Sequence, residues 1–186
     1  EKKKDSDKDV IWNYYHYGLF YDCPLEILYL GRNLNYTIGV YYENCGYKCY
    51  TYDYYYSPFY QKRELKSVTI GNLVTTIGVG LFEECSNLKN ITIPKNVTSI
   101  ENHAFDVCSH LHKLHIEDGG ANLEMGYTKR ASGGYYGLFT YCPLDSLYIG
   151  RNLSYQLFVN EYNSTYAGPS PFQENSTLKS VTISDS

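Results

Sequence analysis

Tyrosine is the residue with most to offer a ligand in this sequence. There are 23 tyrosines, and none falls between Gln61 and Gly126. A general compositional bias would spread them evenly, so a local demand places them. Ten run from Tyr36 to Tyr60, among them the block Tyr54-Tyr55-Tyr56. Tyr135 and Tyr136 form another adjacent pair, and Tyr29 and Tyr148 each stand inside a short apolar triplet. A ring with a hydroxyl at its tip gives a large amphipathic contact area at low conformational cost, which is the chemistry of recognition. The competing reading of each ring is that it packs on its neighbours to hold a loop in shape.

The other chemistry-bearing residues point away from catalysis. His110, His112 and His115 are close in sequence. His112 and His115 are three apart, so on a strand they face opposite ways; ordinary surface histidines are expected, and no metal site. Cys23, Cys85, Cys108 and Cys142 recur in one local context and read as small buried apolar fillers. Cys45 and Cys49 lie in the tyrosine-rich stretch. A local disulfide closing that loop is one reading of the pair, and two thiols are too few for a structural zinc site. Asn-x-Ser/Thr triplets begin at Asn35, Asn90, Asn96, Asn152, Asn163 and Asn175, and matter only in a eukaryotic secretory pathway. The sequence carries no phosphate-binding glycine loop, nucleophile elbow or paired metal motif, and its acidic residues are scattered. The expectation is therefore no enzyme and no cofactor. The net charge of -4 favours neither nucleic acid nor an anionic membrane. No run of 18 apolar residues is present to insert in a bilayer.

The elements that position these residues repeat. Phe20, Phe59, Phe82, Phe105, Phe139 and Phe172 share one context. Three residues after them stand Cys23, Lys62, Cys85, Cys108, Cys142 and Asn175. A leucine follows each: Leu25, Leu65, Leu88, Leu111, Leu144 and Leu178. Then comes an apolar-x-apolar triplet, for example Val68-Thr69-Ile70, Ile91-Thr92-Ile93 and Leu114-His115-Ile116. Alternation of period two makes each triplet a short strand with one buried face. A second apolar pair, Val74 and Ile77 or Val97 and Ile100, predicts a second extended segment. Ala104, Phe105 and Cys108 are spaced for a single inward-facing helical turn. Phe59, Phe82 and Phe105 are 23 residues apart, a period in the leucine-rich-repeat range. One rung cannot bury this face alone, so stacked neighbours must make the core.

The run Ile93-Pro94-x-x-Val97-Thr98-Ser99-Ile100-x-x-x-Ala104-Phe105-x-x-Cys108-x-x-Leu111 resembles the repeat unit of the BspA-like leucine-rich-repeat family nearly letter for letter. Residues 65–88 are similar, with Gly71 where that unit has proline. The resemblance covers about four-fifths of the chain. It implies a right-handed α/β solenoid of short parallel strands with single helical turns and irregular inserts. It also implies a bacterial cell-surface or secreted protein that adheres to host proteins.

The remaining phenylalanine spacings are 39, 34 and 33. The excess always enters between the second extended segment and the phenylalanine turn, giving inserts at residues 39–56, 126–136 and 157–169 on one edge. A larger period lies above the first. Leu28-Tyr-Leu-Gly-Arg-Asn-Leu34 recurs as Leu147-Tyr-Ile-Gly-Arg-Asn-Leu153, and Leu65-Lys-Ser-Val-Thr-Ile70 recurs intact as Leu178-Lys-Ser-Val-Thr-Ile183. Four rungs thus make a module that starts again after 119 residues, from Phe20 to Phe139. Residues 1–186 read as one leucine-rich-repeat unit cut from a longer array, with residues 1–17 the partly disordered tail of an insert.

The functional expectation is a non-enzymatic extracellular binding module. Its candidate contacts are Tyr54, Tyr55, Tyr56, Tyr135 and Tyr136 on the inserts, and Tyr29, His115 and Tyr148 on the strand face. The partner would be an extracellular protein or a glycan. The rival reading is a stalk that presents another domain, which a ladder of Thr69, Thr92 and Thr182 chosen for strand propensity would suit.

Overall fold

The computed structural model describes residues 19–20, 22–36, 39–42, 51–54, 57–129, 135–155, 158–159, 165–166 and 170–185. Each apolar-x-apolar triplet forms a strand, because β-branched and leucine side chains alternate with polar ones. In Asn90–Ile93 and Lys113–Ile116 the second and fourth residues are buried and the others exposed. Asn90–Ile93, Lys113–Ile116, Ser146–Ile149 and Ser180–Ile183 pair in that order as a parallel sheet without a register slip. Ile27–Arg32 and Ser67–Leu73 form a parallel pair that packs beside Asn90–Ile93. The second extended segments, Thr76–Ile77, Ser99–Ile100, Leu123–Met125 and Leu153–Tyr155, form a second parallel sheet.

Between the two sheets lies the phenylalanine column. Adjacent ring centroids from Phe20 through Phe59, Phe82, Phe105 and Phe139 to Phe172 are 5.4, 6.0, 5.5, 5.3 and 5.7 Å apart, all stacked. Ile93, Phe82 and Phe105 are wholly buried, as the repeat demands.

The predicted helical turn does not form; no helix occurs among the described residues. The reason lies in the backbone. Gly80, Glu84, His103 and Val107, and at the equivalent turns Gln61 and Glu174, all have φ between 55° and 63°, in the left-handed region. Alternation of hand turns successive amides in opposite directions. Leu81, Glu83 and Cys85 donate within the turn, to Gly78, Gly80 and Phe82. Gly80, Phe82 and Glu84 donate instead to Asn102, Ala104 and Asp106 of the next rung. A helix would spend all these amides internally; this turn spends half on its neighbour. Each non-glycine residue held in this conformation costs about 1–2 kcal/mol, and the cross-rung hydrogen bonds offset it.

The cysteine position also has a more specific role than filling space. The thiols of Cys85, Cys108 and Cys142 donate to the carbonyls of Phe59, Phe82 and Phe105 at 3.4, 3.1 and 3.2 Å. Asn175 Nδ2 donates to Phe139 O at 2.8 Å in the same place. Lys62, fully buried, donates to Cys23 O at 3.3 Å. Every described occupant below the first rung is therefore a donor. Cys23 departs from the expected burial: it is exposed, in the outermost described rung. Burial pushes the Cys85 thiol up to about 12 and raises Cys108 as well.

The described residues of the inserts include paired strands. Gly39–Tyr42 pairs antiparallel with Thr51–Tyr54, Tyr127–Lys129 with Tyr135–Gly137, and Phe158–Val159 with Thr165–Tyr166. All three are hairpins, because their tyrosine, threonine and valine runs suit pleated backbone. Tyr41 is registered against Tyr52. No helix among the described residues is long and apolar enough to cross a membrane.

Candidate functional site

The outward residue of each triplet is held by strand register alone. Tyr29 is registered with Thr69, and Thr92, His115, Tyr148 and Thr182 follow one another across the four-stranded sheet. Neighbouring strands are about 4.8 Å apart, so residues in register along the column are close enough for their side chains to meet. His115 and Tyr148 use that closeness: their rings stack at 4.4 Å with an 11° interplanar angle. The Tyr148 hydroxyl donates to Asp118 Oδ1 at 2.9 Å, which fixes the ring across the sheet. Asn90, Thr92, Lys113, Glu117 and Ser146 line a groove of about 490 Å³ around this stack. An aromatic platform rimmed by an amide, hydroxyls, an ammonium and carboxylates offers stacking and hydrogen bonding to a bound molecule.

Tyr29 is placed differently. It is 70% exposed, and its ring lies across Gly31 and Gly71. A Cβ at Gly71 would stand 2.7 Å from the Tyr29 hydroxyl, and one at Gly31 would stand 3.1 Å from Tyr29 Cε1. Glycine at 71 leaves room for the Tyr29 ring in this position. Tyr29 borders an apolar groove of about 400 Å³ with Leu28, Leu34, Tyr36 and Phe59. Burial raises the Tyr36 hydroxyl above its usual range, and this hydroxyl donates to Val79 O at 2.8 Å.

The structure brings His115 and Tyr148 together and separates them from Tyr29 by the strands carrying Thr69 and Thr92. Tyr135 and Tyr136 stand on a hairpin that leaves the rung beyond the second sheet. Tyr135 is exposed and meets Tyr127 edge to face at 5.4 Å. Tyr136 is half-buried, 5.7 Å from the Tyr141 ring. Tyr54 ends a described strand. The expectations for Tyr55, Tyr56, Cys45, Cys49 and residues 1–17 lie outside the described residues. His110 and His112 each bond a backbone carbonyl of a neighbouring rung, Ser86 O at 2.6 Å and Pro143 O at 3.0 Å.

The geometry is one of stacked rungs with a decorated exterior. Residues 54–127, the span of the plain rungs, match the BspA type leucine-rich repeat region in six copies. The residues in that span are BspA-type leucine-rich repeats. A solved structure of a leucine-rich repeat protein from Bacteroides ovatus is similar at 20% identity with a TM-score of 0.36. That match covers 68% of this chain and 39% of the other, so the chain spans about two-fifths of that protein. No match was found among curated proteins. Sequence reading found His115 and Tyr148 as column neighbours but missed Asp118, whose carboxylate anchors Tyr148 from beyond the triplet.

Proposed function

We propose that this BspA-type repeat stack is a non-enzymatic extracellular binding module, displayed on or secreted from a bacterial cell, that takes a host protein or a glycan. The observation that carries the reading is the His115–Tyr148 stack, pinned by Asp118 and set in an exposed groove. A ladder selected only for strand propensity would keep threonine here, as positions 69, 92 and 182 do. The parallel crossovers between rungs support a right-handed solenoid, since such connections are right-handed in about 98% of cases. The three hairpins leave at one point of the rung, so in a solenoid they line one edge. The first and last are four rungs apart, about 20 Å at strand spacing, a span that suits a protein epitope or an oligosaccharide.

The test is an array of glycans and matrix proteins probed with the native chain, the His115→Ser/Tyr148→Ser double variant and a hairpin-deleted chain. Retained fold with lost binding in the double variant supports the strand face. Loss only on hairpin deletion moves recognition to the edge. No binding to any probe by the native chain favours the stalk reading, which the threonine positions suit.

A further inference from the structure

The residue after each stacked phenylalanine forms its own column, and here the stack turns polar inside. That position holds Glu83, Asp106 and Thr140 on three successive rungs. His103, two residues before Phe105, lies beside them with Nδ1 3.6 Å from Asp106 Oδ2. One donor atom from each of Glu83, His103 and Asp106 can be chosen so that all lie within 4.8 Å of one another. Asp106 is 2% exposed and His103 6%, while Glu83 is half-buried at the rim.

A second, independent observation points into the same place. Thr128 and Thr140 are buried, and neither hydroxyl oxygen has a hydrogen-bond partner. Thr140 takes the Glu83 and Asp106 position one rung on. Thr128 follows Tyr127, whose carbonyl accepts the His103 amide, just as His103 follows Asn102, whose carbonyl accepts the Gly80 amide. By repeat equivalence, Thr140 and Thr128 thus stand one rung on from Asp106 and from His103. Burying such oxygens without a partner is costly, and a cation among them would turn that cost into coordination.

We propose that Glu83, His103 and Asp106 form a divalent-cation site, with the Thr128 and Thr140 hydroxyls completing its wall. Two carboxylates and a neutral imidazole carry a charge of -2, which one dication cancels. The imidazole selects a zinc-class transition ion over calcium or magnesium, which prefer oxygen alone. Zinc bonds near 2.0–2.2 Å require the three donors to draw closer by side-chain rotation, and the ion would tie the Phe82 rung to the Phe105 rung.

The experiment titrates chelator-treated full-length chain with zinc chloride alone, by calorimetry and by melting temperature. The native chain should bind zinc and melt higher with it. Glu83→Gln, at the rim, should weaken the site at least about tenfold, the loss that even outer-shell changes cause. His103→Gly should abolish the zinc-dependent rise, read as the difference between the melting temperatures with and without zinc so that any loss from the vacated side-chain space cancels. Gly80 holds the same backbone conformation one rung earlier (φ 61° against 60°), so glycine is at home there. If His103→Gly fails to fold, Glu83→Gln decides. Absence of zinc binding by the native chain, or binding unchanged in Glu83→Gln, overturns the site; the latter places the ion elsewhere.

Discussion

Inside the stack, six phenylalanines repeat at centroid separations of 5.3–6.0 Å. On the outer face of the triplet strands, the equivalent residues are Tyr29, Thr69, Thr92, His115, Tyr148 and Thr182. The spacing is similar on both faces, yet the inner column admits one residue and the outer column three. Close packing explains the first: a ring of one size must fill each layer, with no solvent to absorb a mismatch. Exposure explains the second, since an outward side chain need only be compatible with its two neighbours. A repeat thus separates structure from recognition by side of strand, and the outer column can vary at little cost to the inner.

That contrast can be broken most forcefully from within. Phe105→Ala should lose about 3–5 kcal/mol in urea denaturation. A loss below about 1 kcal/mol would mean the phenylalanine column is not the core. The next effect tests backbone contact between rungs. A Cβ at Gly150 would stand 2.7 Å from Asp118 Cα, whereas one at Gly120 meets nothing within 4 Å. Gly150→Ala should destabilise by about 1–3 kcal/mol, and Gly120→Ala should stay within about 0.5 kcal/mol. Equal effects would show that the rungs are not held this close.

The thiols give a pH test of the same interior. Burial pushes the Cys85 thiol up to about 12, well above the usual range of a thiol. The unfolded chain therefore releases this proton at lower pH than the folded one. The stability that burial of the neutral thiol contributes is complete below about pH 9 and is lost as pH rises towards 12. Alkaline titration of the melting temperature should fall through that window, less so in Cys85→Ala. Thiol reagents at neutral pH should label exposed Cys23 and spare Cys85 and Cys108; rapid labelling of the buried pair would contradict their place. The outer column should contribute far less to stability than the inner one. His115→Ser/Tyr148→Ser should change stability by no more than about 1.5 kcal/mol, the value of an aromatic pair, and any larger loss would make the stack part of the core.

The inner column was readable in advance because one residue type marks it. The period of Phe59, Phe82 and Phe105, the alternating triplets and the second apolar pair give both sheets and their register. The turn was not readable, because the spacing of Ala104, Phe105 and Cys108 is the same in a helix and in a turn of alternating hand. Left-handed Glu84 and Val107 leave no mark in residue type, as glycine would. The donor role at the cysteine position was hidden by cysteine's apolar character. Lys62 and Asn175 at that phase were the signal, since all three side chains can donate a hydrogen bond. Glu83 and Asp106 were detectable in the same way, being 23 residues apart and so on one column, but His103 joins them only in three dimensions. For the outer column, register gave the neighbours, while the Asp118 anchor depends on where the chain goes after the strand.

The common entry point of the hairpins has an entropic consequence. Each hairpin lengthens the loop that must close before one rung can dock on the next. From Phe20 to Phe59 that loop is 39 residues, against 23 from Phe59 to Phe82. Closure entropy grows only as the logarithm of length, so the longer loop adds roughly 0.5 kcal/mol. A hairpin that pairs with itself recovers this through its own cross-strand contacts, each worth about 0.2–1 kcal/mol. Loop closure therefore sets almost no limit on how large an insert can grow at this point, and successive rungs can carry unrelated hairpins while docking through unchanged faces.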